Sequence, residues 1–223
     1  MSKIITNKEN RREYFLKLID YSIEIISCLP IDPEPKPLKY VLERLKPKLE
    51  SIKKEKIKRL KNLKSPFHFT DSIDNKLGTG LNSIGMLTDR LTILIIKEWC
   101  LRNKNNSDPE KADKIYKEHT LDIVEAIIHA KPGSSSMNTK ITKLRSGARA
   151  SSWEEAYYGL LMTNILMWES QEVLYIKDIS LLECEELRDY IKWFSYSNIL
   201  RNEFINLCEK KYWEFTYKIK RGY

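Results

Sequence analysis

The sequence predicts an all-α fold, a helical bundle built around a buried central helix at about 84–102, with a lysine-rich N-terminal helical arm. Two observations carry that expectation. Apolar residues recur every three or four positions through long stretches, which is the period of a helix face. Only seven glycines occur in 223 residues, and runs that read as strands are hard to find. With 42% hydrophobic residues, the chain has enough apolar material for a sizeable core.

The elements follow in order. From Arg11 to Leu29 the apolar set Tyr14, Phe15, Leu18, Ile19, Ile23 and Ile26 falls on one helical face. The stretch LPIDPEPKP then ends the helix, because proline lacks an N–H and restricts the residue before it. It reads as a rigid linker. Residues 38–64 carry Leu38, Leu42, Leu45, Leu49, Ile52, Leu60 and Leu63 along a second stripe, with Pro47 expected to kink the helix or to begin another. The opposite face is crowded with Lys53, Lys54, Lys56, Lys58, Arg59 and Lys61. Such a face is either solvated or laid along phosphates. Residues 1–64 form the expected arm and 65–223 the main domain, unless the two are continuous.

The segment IGMLTDRLTILIIKEWCLRN is apolar on nearly every side except at Asp89, Arg90, Lys97 and Glu98, which marks it as the central helix. Ser107 or Asp108 is an N-cap candidate ahead of Pro109 for a helix from about 110 to 130, stopped by KPGSSS. NTKITKLRSGARASS is a basic connection, and Ser152-x-x-Glu155 reads as a capping box opening WEEAYYGLLMTNILMWESQEVLYI. A helix restarting near Ser180 contains EELRDYIKWFSYS. The last begins at about Asn198, or the two are one. LTILIIKEW and LLMTNILMW each end on tryptophan, Trp99 and Trp168, which leaves a duplicated helix pair open.

Lys and Arg exceed Asp and Glu by 39 to 31, a formal charge of +8 and a pI near 9.1, so anionic partners are favoured. Cys28, Cys100, Cys184 and Cys208 lie far apart without a C-x-x-C pair, which argues against a zinc knuckle and a redox motif. The polar start MSKIITNKEN and the brevity of the apolar run LTILII place the chain, as an expectation, in the cytoplasm with no membrane partner.

Several constellations of residues bear on chemistry. Glu169-x-x-Glu172 and Glu186-x-x-Asp189 each put two carboxylates on one helix face, and thirteen residues between them allow an antiparallel pair holding Mg²⁺. These residues resemble the E-x-x-E, spacer, E-x-x-D order of MazG-type all-α nucleoside triphosphate pyrophosphohydrolases. The resemblance implies that Glu169, Glu172, Glu186 and Asp189 are metal ligands and that a metal-bound water attacks a phosphoanhydride. Trp168, Ser170 and Gln171 depart from the E-E-x-x-E context of that family.

Arg201, Asn202 and Asn206 are similar to the R-N-x-x-x-H motif of HEPN-type helical ribonucleases, with Asn206 where the histidine would stand. An amide is no general acid or base, so the likeness implies an inactive relative. SIGMLTDRLTILIIKEW and NILRNEFI resemble helices of uncharacterised bacterial or phage all-α proteins, which implies a polar set of Asp89, Arg90, Asn198, Arg201 and Asn202 in one pocket. The alternative is that these groups stitch helices together.

Glu118, His119, Asp122, Glu125 and His129 line one side of a helix and permit a metal edge or a polar face. Gly78, Gly80 and Gly85 precede a helix N-terminus that can hold a phosphate. Lys140, Lys143, Arg145 and Arg149 supply positive charge nearby in a loop.

Three functions remain from this reading. One is a cytosolic protein binding a nucleotide or nucleic acid through Arg and Lys without catalysis. The second is a Mg²⁺-dependent pyrophosphohydrolase, and the third a structural or protein-interaction module. Self-association as a homo-oligomer is compatible with each.

Overall fold

The chain is described by a computed structural model over residues 7–63, 83–130, 146–176 and 179–218. Within these residues it is all-α and has no strand. Helix α1 (Asn7–Ser27) precedes the proline linker. A continuous rod then comprises α2 (Leu38–Tyr40), a π-helical turn (Val41–Leu45) and α3 (Lys46–Asn62). The wide turn falls just ahead of Pro47, whose ring and missing N–H would otherwise break the ladder, so the rod passes the proline without a new start.

Helix α4 (Ile84–Asn103) is capped by Ser83, whose Oγ accepts from the Met86 N–H at 3.1 Å. Helix α5 (Pro109–Ile115) has Asp108 as its N-cap and passes through a second π turn (Tyr116–Thr120) into α6 (Leu121–His129). Helix α7 (Trp153–Ile176) begins at Ser152, whose Oγ accepts from Glu155 N at 3.3 Å. The reciprocal half of the expected capping box is absent, because the Glu155 carboxylate takes the Ser151 N–H and hydroxyl instead. After a 3₁₀ turn (Ile179–Leu181), α8 (Cys184–Lys218) runs unbroken for 35 residues. The two C-terminal segments are therefore one helix.

Helix α4 is buried at twelve positions, from Ile84 through Cys100. Helix α7 matches it, since every residue from 156 to 167 is buried. Two helices thus share the inside, and α8 packs along both. Their closeness depends on glycines. A Cβ at Gly85 would stand 2.2 Å from the Ile205 carbonyl oxygen, and one at Gly159 would stand 2.2 Å from the Phe204 ring. Burying each Leu or Ile of this core contributes roughly 1.5–3 kcal/mol over leaving it in water.

Residues 7–63 share that core. Phe15, Leu18, Leu49 and Leu60 belong to the same apolar cluster as Leu91, Tyr157 and Tyr212. The polar tips of the large aromatics are satisfied across these contacts. Trp153 donates to the Tyr14 hydroxyl at 3.0 Å, the Tyr157 and Ser22 hydroxyls meet at 2.7 Å, and Tyr158 donates to the Leu49 carbonyl at 2.7 Å. A smaller cluster of Leu38, Val173 and Tyr190 closes the far end of α7 and α8. No helix among the described residues is long and apolar enough to cross a membrane.

Candidate functional site

The lysine face of α3 does not act as one unit. Lys56 turns inward and is buried, with its ammonium 5.9 Å from the Tyr21 ring centroid. Arg59 leans over the same ring at 4.7 Å and pairs with Glu24. The remaining four, Lys53, Lys54, Lys58 and Lys61, line an open groove of about 590 Å³. Its floor is Ile57, Gly159 and Phe204, and its other wall includes Arg149. The helical period produces this, because Lys54, Lys58 and Lys61 recur at i, i+4 and i+7 on one face.

Arg149 reaches the groove because its segment is pinned at both ends. The Glu203 carboxylate accepts from Ser146 N at 3.0 Å, Ser146 Oγ at 2.5 Å and Ala148 N at 3.0 Å. Between those amides Gly147 has φ +79°, the left-handed backbone that lets both N–H groups point at one anion. Two residues beyond Arg149, Ser151 donates its N–H to Glu155 at 2.8 Å, and the same carboxylate accepts from Lys61 Nζ at 3.2 Å. These hydrogen bonds, those from Ser151 first, hold the Glu155 carboxyl below its ordinary pKa.

Of the groove's five cations, Lys61 is paired with Glu155 and Lys53 lies 3.8 Å from Glu50. Lys54, Lys58 and Arg149 are exposed and have no acidic partner among the described residues. Lys140, Lys143 and Arg145 lie outside those residues.

The four carboxylates singled out by spacing separate into two places. Glu169 and Glu172 project from α7 onto the Lys104 ammonium, which lies 2.9 Å from Glu169 Oε1 and contacts Glu172 Oε2. Trp168 Nε1 donates to the other Glu172 oxygen at 3.0 Å. Glu186 and Asp189 line a different groove beside Lys39, Leu42 and Trp193. The reason is that the start of α8 packs on Leu38 through Tyr190, whose hydroxyl accepts from the Leu38 N–H at 2.9 Å.

Among the described residues, three metal-competent side chains converge only at Cys100, Glu169 and Glu172. A thiol is a poor ligand for Mg²⁺, which demands oxygen donors, and an ammonium already occupies the place between the carboxylates. These residues do not fit Mg²⁺. Burial drives the Glu169 carboxyl up to about 7 against the pull of Lys104. Burial alone would lower Lys104, but the two carboxylates outweigh it and hold it raised. Two carboxylates share one ammonium, so Glu169 remains under-compensated.

The polar set around Asp89 is brought together only in part. Asp89 and Arg201 form a bidentate pair joining α4 to α8, and Asn164 of α7 donates to Asp89 at 2.9 Å and to Thr92 at 2.8 Å. Arg90 is exposed, Asn198 donates to its own helix at Phe194 O, and Asn202 is half-buried outside the pair. The arrangement is an interhelical stitch. Asn164 was not anticipated, although a lone amide in LLMTNILMW was the available signal.

On α6 and the preceding π turn, Glu125 pairs with Arg12 at 3.3 Å and lies 3.7 Å from His129, while Glu118, His119 and Asp122 are exposed. They form a polar helix side. Gly85 N donates to Glu209 at 2.9 Å, so the protein's own carboxylate takes the amide proposed for phosphate. Gly78 and Gly80 lie outside the described residues.

No protein-family model matches the chain, and neither a curated protein nor a solved structure matches it.

Proposed function

We propose that this protein binds a phosphate-bearing ligand, a nucleotide or a nucleic acid, through Arg and Lys and without catalysing a reaction. The observation that carries this reading is the convergence of Lys54, Lys58 and Arg149, from two separate segments, on one groove without acidic partners among the described residues. Five cations face two carboxylates there, so an anion entering the groove meets a net positive field. Helix α3 is about 25 Å long at 1.5 Å per residue, and a row of cations along such a rod suits several phosphates in series. Within the proposed class this favours an oligonucleotide over a mononucleotide.

The test is a titration of fluorescein-labelled single-stranded oligonucleotides, and of a nucleoside triphosphate, at rising salt. Binding should weaken as salt rises, with a slope that falls by about one per cation removed. The triple variant K54E/K58E/R149E should lose about tenfold or more in affinity while keeping its helical circular dichroism. Absence of binding to either probe at low salt would end this reading.

A further inference from the structure

The roughly 1150 Å³ groove at the opposite end of the helical rod has a different chemistry. It lies between α2 with its π turn and the first turns of α8, and its apolar lining is Pro37, Leu38, Leu42, Trp193 and Tyr196. Its rim holds Glu43, Glu183, Glu185, Glu186 and Asp189 against Lys39, Lys46 and Lys192. None of these five carboxylates has an ion-pair partner among the described residues. On a chain of net charge +8 this is a local excess of negative charge around an apolar trough.

A second observation falls in the same region. The exposed large hydrophobic residues among those described are Tyr175, Ile179, Ile191 and Tyr196, all within the end of α7, the following turn and the first half of α8. Among the described residues the neighbouring apolar cluster has three buried members, Leu38, Val173 and Tyr190, with Leu42, Leu174, Leu182, Trp193 and Phe194 partly covered. Of the four exposed residues, Tyr196 lines the groove itself, next to the partly covered Leu42 and Trp193, and an exposed aromatic beside a partly covered apolar cluster marks an interaction surface.

We infer that this groove docks an amphipathic helix of a partner protein, with its apolar face against Leu42, Trp193 and Tyr196 and its Lys or Arg residues against Glu43, Glu186 and Asp189. Charge complementarity selects the occupant. The carboxylates repel nucleic acid and acidic helices, while a basic helix gains from them at each turn. Glu186 and Asp189, which fail to join a metal site, then belong to a recognition rim. The surface is separate from the lysine groove of α3 and does not depend on it.

The experiment uses the full chain and three fluorescein-labelled peptides of about eighteen residues. The first is built from Leu and Lys with leucines at helical i, i+3, i+4, i+7 spacing. The second has the same composition with the leucines scattered, and the third replaces Lys by Glu. By anisotropy the first peptide should bind, the second about tenfold more weakly, and the third not at all. E186K/D189K and Y196S should each weaken the first peptide by about tenfold with circular dichroism unchanged, while K54E/K58E/R149E should leave it unaffected. Equal binding of the scattered peptide, insensitivity to E186K/D189K, or no binding would overturn the inference. So would sedimentation showing a dimer of this chain that Y196S dissociates, because a second copy would then be the occupant.

Discussion

Arg201 on α8 faces Asp89 on α4 through two parallel hydrogen bonds, Nε to Oδ1 at 2.8 Å and Nη2 to Oδ2 at 2.5 Å. Asn164 of α7 completes the aspartate's coordination, so one carboxylate ties three helices. Removing Arg201 leaves a buried charge with only an amide for company. Because its side chain is 27% exposed, water recovers part of that loss. Arg201→Ala should cost about 2–3 kcal/mol, below the roughly 3–5 of a fully enclosed pair. The double variant with Asp89→Ala should lose less than the sum of the two singles. Urea denaturation of the four proteins checks this, and simple additivity would show that the pair is uncoupled.

The α7 to α8 contact depends on Gly159. A methyl group there meets the Phe204 ring at 2.2 Å, and that ring is itself buried. Gly159→Ala should destabilise by about 1–3 kcal/mol through overpacking. Phe204→Leu in the same chain should recover part of the loss, because the smaller side chain vacates the space. At Gly85 the obstacle is the Ile205 carbonyl, a backbone atom that cannot be trimmed. No side-chain substitution at position 205 should rescue Gly85→Ala. Thermal melts of the two pairs separate these cases.

Glu169 sets a pH dependence. Its native pKa, about 7, lies above the ordinary 4.5 of the carboxyl, with burial the cause and Lys104 the partial remedy. The folded protein therefore holds this proton more tightly than the unfolded chain. The resulting stabilisation is complete below about pH 4.5 and is lost as pH rises through 7. Glu169→Gln should flatten stability between those limits, by up to about 3 kcal/mol at 1.36 kcal/mol per unit, less what Lys104 forfeits. Parallel denaturation curves against pH for both proteins would show that Glu169 stays ionised throughout.

The four cysteines should divide evenly in reactivity. Cys28 and Cys184 are exposed. Cys100 is buried, with its thiol pushed up to about 12 by burial, and Cys208, also buried, is raised well above its ordinary value for the same reason. Iodoacetamide under native conditions should label two positions, and four after denaturation, as read by intact mass. Early labelling of Cys100 would mean that the Lys104 cluster opens to solvent.

Local signals placed most elements before any contact was known. Asp108, one of the two cap candidates ahead of Pro109, caps α5, and LPIDPEPKP ends α1 where proline removes donors. The pass through Pro47 was less legible, since a π turn depends on what the rod packs against. Equal burial of α7 and α4 was also missed, because an apolar helix reads alike whether it is central or flanking. Within the candidate site, Lys54 and Lys58 were visible as a charge run, and Arg149 as part of a basic loop. That these meet across one groove was not visible, and neither was the role of Glu203 in holding the segment that carries Arg149.

By itself, the sequence determined the all-α class, the starts of α4, α5 and α7 to within a residue or so, and the overall excess of positive charge. Each of these follows from neighbours within a few residues or from composition alone. Tertiary structure decided which charges are paired and which are left over. It set Lys104 between Glu169 and Glu172, sent Glu186 and Asp189 to another surface, and turned Lys56 inward while Lys54 and Lys58 stayed out. The physical reason is that an ion pair depends on separations of a few ångströms between residues distant in the chain. Helical spacing specifies the face on which a charge lies but not the partner that face will meet.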